Sequence, residues 1–397
     1  MKNNLARFSE WPCFEIDEVN AVMEVLHSGK VNQWTGLEVQ TFEDDFAQYL
    51  GVNHAVALAN GSLALDLALI ILNIGSGDEV IVSPRTFVAS ASCIALRGAV
   101  PVFAEVDAVS QNISMESVVK CISPQTKAII AVHLAGWPCE LDKLRKLCDE
   151  NGLFLIEDCA QAHGARYNGK PVGSFGDFSA FSFCQDKIMT TGGEGGMLVT
   201  SNEELWKRAW SFKDHGKDYD AVFHDVHPSG FRWLVKTFGT NFRMTEMQAA
   251  IGRIQLKKLD SWVKKRRNLA STLTDSFEQY ESLRVTCPPD DVHHSYYKYY
   301  TFVRPERLRK SWSRDRILYE LAEKGIPCGT GICPEVYLEK AFDNYSWKTD
   351  LGEKKRLEIA KQLGETSMMF QVHPTLDESD MHFIIEQMKR ILKEACV

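Results

Sequence analysis

The chain has 397 residues, of which 45% are hydrophobic and 25% charged, and 45 Lys plus Arg stand against 53 Asp plus Glu for a formal charge of -8. That composition excludes a disordered or fibrous polymer, and the acidic balance argues against a general nucleic-acid binder. The length suits two domains, or one large domain with a smaller companion.

The opening MKNNLARFSEWPCFEIDE is polar and mixed in charge. It has no apolar stretch suited to a signal peptide, and no later segment has the uncharged length of a membrane span, so a cytoplasmic protein with no membrane partner is expected. The 11 cysteines lie scattered in apolar segments such as CIAL and EDCAQA. They read as buried thiols, and no metal is expected: Cys328 and Cys333 in GTGIC are the closest pair, without a second pair or a nearby histidine.

From His54 to Thr200 short apolar runs alternate with helix-like stretches: HAVALAN, DEVIVSP, VPVFAEV, KAIIAVHL, LFLIED, FSAFSF and GGMLVT. This alternation predicts an α/β sheet covered on both faces. Between the runs, LALDLALIIL and ELDKLRKLCDENG have helical spacing, the second with acids early and a glycine at its end. A long helix-like stretch follows from GTNFRMTEMQAAIGRIQ to LTDSF, and then the pattern changes. YYKYYTFVRP alternates as a strand, SRDRILYELAEKGIP ends a helix at Gly325 and Pro327, and ESDMHFIIEQMKRILKEA closes the chain. We expect an N-terminal arm over 1–30, a large α/β domain over 31–262 and a smaller α+β domain over 263–397.

Three places carry possible chemistry. LFLIED brings Glu157 and Asp158 to the C-terminal end of a strand, where open α/β sheets bind ligands. Asp158 reads equally as the cap of the turn that follows. In VALANGSLALDLAL, Asn60, Gly61 and Ser62 open a helix whose free amides would favour a phosphate, although Ser62 could serve as an ordinary N-cap. Neither a G-x-G-x-x-G nor a P-loop is present, which disfavours a dinucleotide-dependent oxidoreductase. Lys187 follows FSAFSF and precedes TTGGEGG; it is either a loop lysine in solvent or an amine used as a nucleophile. Together, a phosphate cradle, a carboxylate for a pyridinium nitrogen and a Schiff-base lysine are what pyridoxal 5'-phosphate (PLP) asks of a protein.

Nearly the whole chain resembles the sugar aminotransferases of the DegT/DnrJ/EryC1/StrS type. The likeness rests on NQWTG, ANGSLAL, SPRTFVASA, VHLAGWP, IEDCAQAHGA, FSAFSFCQDKIMTTGGEGGMLVT, GTNFRMTEMQAAIGRIQL and MMFQVHPTL in this order. It implies a fold type I PLP-dependent transferase, a large α/β domain with a mostly parallel sheet plus a small α+β domain, and an active site shared across a homodimer. By position, the resemblance implies the Schiff base at Lys187, the ring-nitrogen contact at Asp158, a phenolic-oxygen contact at Gln161 and stacking by Phe87. Gly61 and Ser62, with the amides of Ser62 and Leu63, and Ser182 would hold the phosphate, and Asn241 would reach it from the other subunit. His163, Arg243 and His373 match family positions and are candidates to touch substrate or to be satisfied structural groups.

The implied reaction takes an amino group from glutamate to a keto sugar, with Lys187 moving protons in both halves. Departures from the family's common wording, CQDKIM, the extra glycine of TTGGEGG and the aromatic KDYDAVFHDVHPSGFRWLVKTF, leave both a free and a nucleotide-linked sugar open. That last segment borders the sugar or packs as a loop. A PLP-dependent sugar dehydratase would carry histidine in place of Lys187. A regulator without turnover would carry a DNA-binding domain, which this chain has no room for before its sheet.

Overall fold

A computed structural model describes residues 7–396. The seven apolar runs form β1 (His54–Leu58), β2 (Glu79–Val82), β3 (Val100–Phe103), β4 (Thr126–Val132), β5 (Phe154–Asp158), β6 (Phe178–Ser182) and β7 (Gly196–Thr200). A short hairpin, Lys348–Thr349 with Gly352–Glu353, extends them to a nine-stranded sheet in the order β1-β7-β6-β5-β4-β2-β3-hairpin. Strands β2 to β6 are mutually parallel where they pair, and β7 runs antiparallel to both β1 and β6.

The runs are continuously apolar because both sheet faces are covered. Along β2, Val80 and Val82 enter one core while Ile81 enters the opposite one, and Ile130 and Ile129 divide likewise on β4. Of the helices, α1 (Ile16–Ser28), α2 (Glu38–Leu50) and α3 (Gly61–Ile71) precede most of the sheet, and α4 (Leu141–Asn151) lays Leu144 and Cys148 against Leu155. Gly152 ends α4 at φ 64°, a left-handed cap that a side chain would strain. Next come α5 (Glu203–Lys213) and the short α6 (Tyr219–Phe223).

Helix α7 (Glu246–Phe277) is 32 residues long and starts at a capping box between Thr245 and Gln248, later than the helix-like stretch beginning at GTNFR suggests. Its first half buries Leu256, Leu259 and Val263 with the large sheet, and its second half buries Leu269, Leu273 and Phe277 in another cluster. The expected boundary near 263 therefore falls inside an unbroken helix. The second cluster centres on the antiparallel sheet of β8 (Leu283–Val285), β9 (Tyr299–Val303), Cys328–Gly329 and β10 (Ser367–Phe370), in the order β8-β9-β10-(328–329). Helices α8 (Arg314–Glu323) and α9 (Glu378–Ala395) cover it with Ile317, Leu321, Met381, Ile384 and Met388. Val336, Tyr337, Phe342 and Trp347 instead join the large core, so the C-terminal third grips both units. Among the described residues, no helix is long and apolar enough to cross a membrane.

Candidate active site

Strand register brings the site together. Leu58 of β1 and Ser182 of β6 both pair with Gly196 of β7, so the ends of β1 and β6 lie in one row at the same sheet edge. A Cβ at Gly196 would stand 2.3 Å from the Asn60 carbonyl oxygen, and one at Gly61 would stand 2.5 Å from Ser182 Cβ. Glycine is required at both positions because backbone and backbone meet there. Elsewhere in TTGGEGG, Gly192 and Gly193 take φ of 84° and 121° to turn the chain. The glycine cluster after Lys187 thus serves the turn and the fit against Asn60.

Helix α3 begins at that contact. Its N-cap is Asn60, whose Oδ1 accepts from Leu63 N at 3.0 Å, and not Ser62, the residue the sequence suggested for that role. The Leu63 amide is therefore engaged, a correction to its expected part in holding phosphate. The amides of Gly61 and Ser62 lie in the first turn, where no carbonyl four residues back can accept them. With the Ser182 side chain touching Gly61, these groups form a cradle of the kind that takes a phosphate at a helix N-terminus.

One strand over, β5 sends its last two carboxylates to opposite faces, as strand alternation demands. Asp158 Oδ2 accepts from Ser90 Oγ at 2.7 Å, and Oδ1 accepts from Ala160 N at 3.1 Å. The turn-capping role and an aimed carboxylate coexist. Thr86 Oγ1 lies 2.8 Å from Ser90 Oγ and continues the chain, donating to it because Ser90 already donates to Asp158. Thr86 and Ser90 both belong to SPRTFVASA, a stretch from which only Phe87 was read; the Phe87 ring is 58% exposed. Glu157 turns away into the core, fully buried, contrary to the crevice position read for it. Burial alone would raise its carboxyl, but hydrogen bonds from His133 and from the Gly173 and Gly176 amides outweigh that and hold it below the ordinary range.

Gln161 Oε1 accepts from Ala135 N at 2.9 Å. That bond settles the amide orientation and leaves the NH2 as the free end, a donor suited to a phenolic oxygen. Lys187 lies past β6, its carbonyl held by Trp11 Nε1 at 2.8 Å and its Nζ 4.9 Å from the centre of the Tyr297 ring. Among the described residues that amine makes no ion pair or hydrogen bond. Tyr297 is fixed in turn by donating its hydroxyl to Asp186.

The remaining candidates separate. His163 is buried between Phe181 and Phe183, with both ring nitrogens unpartnered, and burial together with nearby Lys187 lowers it to about 3. Its ring is 1% exposed, so it adjoins the site from within the core. His373 Nδ1 lies 2.7 Å from Thr375 Oγ1, whose single proton goes to the Glu10 carbonyl at 3.0 Å. Nδ1 must therefore donate, leaving Nε2 as an acceptor. Burial, then Arg266 and Lys298, lower His373 to about 3, so the ring is neutral. Arg243 Nη1 pairs at 2.9 Å with Asp214, a fully buried carboxylate that also receives Gln33 Nε2 at 2.8 Å and Lys217 Nζ at 2.9 Å. This knot ties NQWTG, DHG and the 241–243 segment together, and Phe242 O in turn accepts from Ala59 N beside the cradle at 2.9 Å. Asn241 is exposed, with Oδ1 accepting from Arg243 N at 3.2 Å.

A cavity of about 1050 Å3 opens next to Lys187, lined by Trp11, Gln185, Asp186, Lys298, Gln371 and His373 among others. Burial lowers Lys298 to about 8, and its Nζ donates to Gln371 Oε1 at 2.8 Å. Behind Tyr297 lies Arg266, 1% exposed, with Nε and Nη2 unpartnered. Sequence reading placed Asn60 at the helix start but gave the cap to Ser62, and it missed Ser90, Asp214, Arg266 and Lys298. The YYKYY and KKRR runs were visible, but nothing in them marks which cation faces a cleft.

Comparison with known proteins agrees with this geometry. Residues 12–389 match the DegT/DnrJ/EryC1/StrS aminotransferase family. The GDP-perosamine synthase of Escherichia coli O157:H7 is 34% identical over 90% of this chain and 91% of its own. An aminotransferase from Psychrobacter cryohalolentis superposes with a TM-score of 0.94 at 50% identity, covering 97% of this chain and 99% of its own. DesV of S. venezuelae, solved in complex with a ketimine intermediate, superposes with a TM-score of 0.83 at 32% identity over 94% of each chain. The cradle, the aimed Asp158 and the free lysine fit PLP, and the chain belongs to the DegT/DnrJ/EryC1/StrS aminotransferase family, PLP-dependent transferases of fold type I.

Proposed function

We propose that the chain carries an amino group from glutamate to a keto sugar. The observation that carries this reading is Lys187, an amine without an ionic partner among the described residues, on the loop that leaves β6, the strand whose last residue, Ser182, meets the cradle and which pairs with the strand of Asp158. PLP, when bound, supplies the electron sink that lets a proton leave the carbon bearing the nitrogen. Lys187 Nζ would hold the cofactor covalently and then carry that proton. Asp158 would keep the ring nitrogen protonated, its position secured by Ser90 and Ala160. Gln161 would donate its NH2 to the phenolic oxygen, and Phe87 would lie over the ring. Ser62 and Ser182 hydroxyls with the Gly61 and Ser62 amides would hold the phosphate. Leu63 would contribute only through the cap it makes with Asn60.

A homodimer would complete the site, with Asn241 reaching the cradle of the other copy. Supporting this, Phe223, Val226, Phe231, Trp233, Val235 and Phe238 expose 55–98% of their surface along one segment. An apolar stretch of that kind is characteristic of an interface. Arg243 would act by keeping Asn241 in place through Asp214, and His373 would offer Nε2 to a sugar hydroxyl or to the incoming ammonium.

For the acceptor, the names of relatives such as the GDP-perosamine synthases and a dTDP-amino-sugar transaminase favour a nucleotide-linked keto-deoxysugar. A second reading, a free keto sugar acid, is favoured by Arg7 and Lys324, cations that line the cavity together with Glu10 and Glu323. The 8-oxo-3,8-dideoxy-manno-octulosonate that yields the 8-amino sugar of lipopolysaccharide is the case in point.

The test begins with borohydride reduction of the PLP-loaded enzyme and peptide mass mapping, which should place the cofactor on Lys187. In a separate, unreduced sample, glutamate should bleach the visible band and release 2-oxoglutarate. The amine-loaded enzyme is finally offered nucleotide-linked 4-keto sugars and free keto sugar acids. A reduced adduct elsewhere, or no 2-oxoglutarate, would refute the reading.

A further inference from the structure

The cavity beside Lys187 holds a pair of groups that the reading above leaves unused. Lys298 Nζ donates to Gln371 Oε1 at 2.8 Å, which turns the Gln371 NH2 outward as a second donor at the same cavity wall. Its nearest carboxylate is Asp186, 3.8 Å away and already bonded to Tyr297. The Lys298 side chain is 15% exposed, so this charge is largely withdrawn from water, with its counter-ion near the outer limit of an ion pair. Lys298 Nζ lies 4.7 Å from the centre of the Tyr297 ring, the ring that Lys187 approaches to 4.9 Å. Arg266 adds a further positive charge behind the same ring, but it is shut off from the cavity: its Nη1 faces the carbonyls of Tyr296 and Tyr297 at 3.4 and 3.3 Å, and its guanidinium lies 5.3 Å from the Trp11 ring centre.

We propose that Lys298 and Gln371 form a carboxylate clamp that binds the acidic amino donor beside Lys187. An ammonium and an amide NH2 side by side present one donor to each oxygen of a carboxylate. His373 complements the clamp: its neutral ring presents an acceptor, which suits the donor's ammonium and not its carboxylate. The proposal rests on the aminotransferase using glutamate, and it adds the residues that would select it.

The probe is glutarate, a dicarboxylate without an amino group, titrated calorimetrically into the PLP-loaded enzyme. The parent should bind glutarate at least tenfold more tightly than its neutral analogue glutaramide; equal binding overturns the clamp. Lys298→Met should weaken glutarate at least tenfold while the cofactor's visible band stays in place, and Lys298→Arg should restore part of the loss. Undiminished glutarate binding in Lys298→Met also overturns it. Failure of the glutamate reading shows separately: the parent would bind glutarate through Lys298, yet glutamate would leave its visible band unchanged.

Discussion

The carboxyl edge of the sheet and the cavity wall facing it treat their charges in opposite ways. At the edge each acid is answered. Glu157 accepts from His133, Ser179 and the amides of Gly173, Phe175 and Gly176, and His133 spends its other nitrogen on Cys139 N. Asp214 holds three donors. Across the cleft, Arg266 leaves buried nitrogens unpartnered, and Lys298 has one amide oxygen and a carboxylate 3.8 Å away. A cofactor that stays needs a rigid seat, made by saturating every group around it. Substrates that come and go need groups whose partners arrive with them, and the fold carries the cost of leaving these open.

The sharpest break in this contrast is Lys187→Ala. Turnover should fall by at least about 10^4-fold, since covalent attachment and proton transfer are lost together. The visible spectrum should still report bound, unreduced cofactor, because the seat does not depend on the lysine. Steady turnover near that of the parent would remove Lys187 from the chemistry.

Glu157→Gln tests the saturated side. Its amide nitrogen would face donors, so a cost of about 3–5 kcal/mol is expected, as for breaking a buried charged pair. Chemical denaturation should show it as a lowered midpoint. Gly196→Ala should push the Asn60 carbonyl away from the cradle. A loss of roughly 1–3 kcal/mol, typical of overpacking, should appear mainly as weaker PLP binding in a titration of the cofactor-free protein.

The pH dependence of folding sharpens the same comparison. His163, His294 and His373 are each lowered to about 3 in the fold by burial, against about 6.5 unfolded. Their stabilising contribution is complete above pH about 6.5 and is lost as pH falls toward 3, because the unfolded chain binds the protons first. Each contributes at most about 1.4 kcal/mol per pH unit in that window, and substituting one of them by Phe should flatten the acid limb of a denaturation series. Asp214→Asn should likewise cost about 1–3 kcal/mol in the knot and weaken cofactor retention more than it slows a saturated enzyme.

Much of the cofactor side was legible. The alternating apolar runs become strands with ends within three residues, because a strand buried on both faces has few other compositions. Asp158, Gln161, Ser182 and Lys187 follow strand ends, where position along the chain is nearly position in space. Local geometry decided what spacing could not: which of Asn60 and Ser62 caps α3, and which of Glu157 and Asp158 faces the crevice.

By itself the sequence determined the order and kind of elements, the glycine-rich turn and the place of Lys187 just before it, since these depend on neighbours a few residues apart. Only the tertiary structure decided that Asp214 would gather Gln33 and Arg243, that α7 would run through both cores, and that Lys298 would face a cavity. Those facts turn on burial and on contacts between residues 29 to 181 positions apart, where the same lysine is a solvated charge or a binding group according to what folds over it.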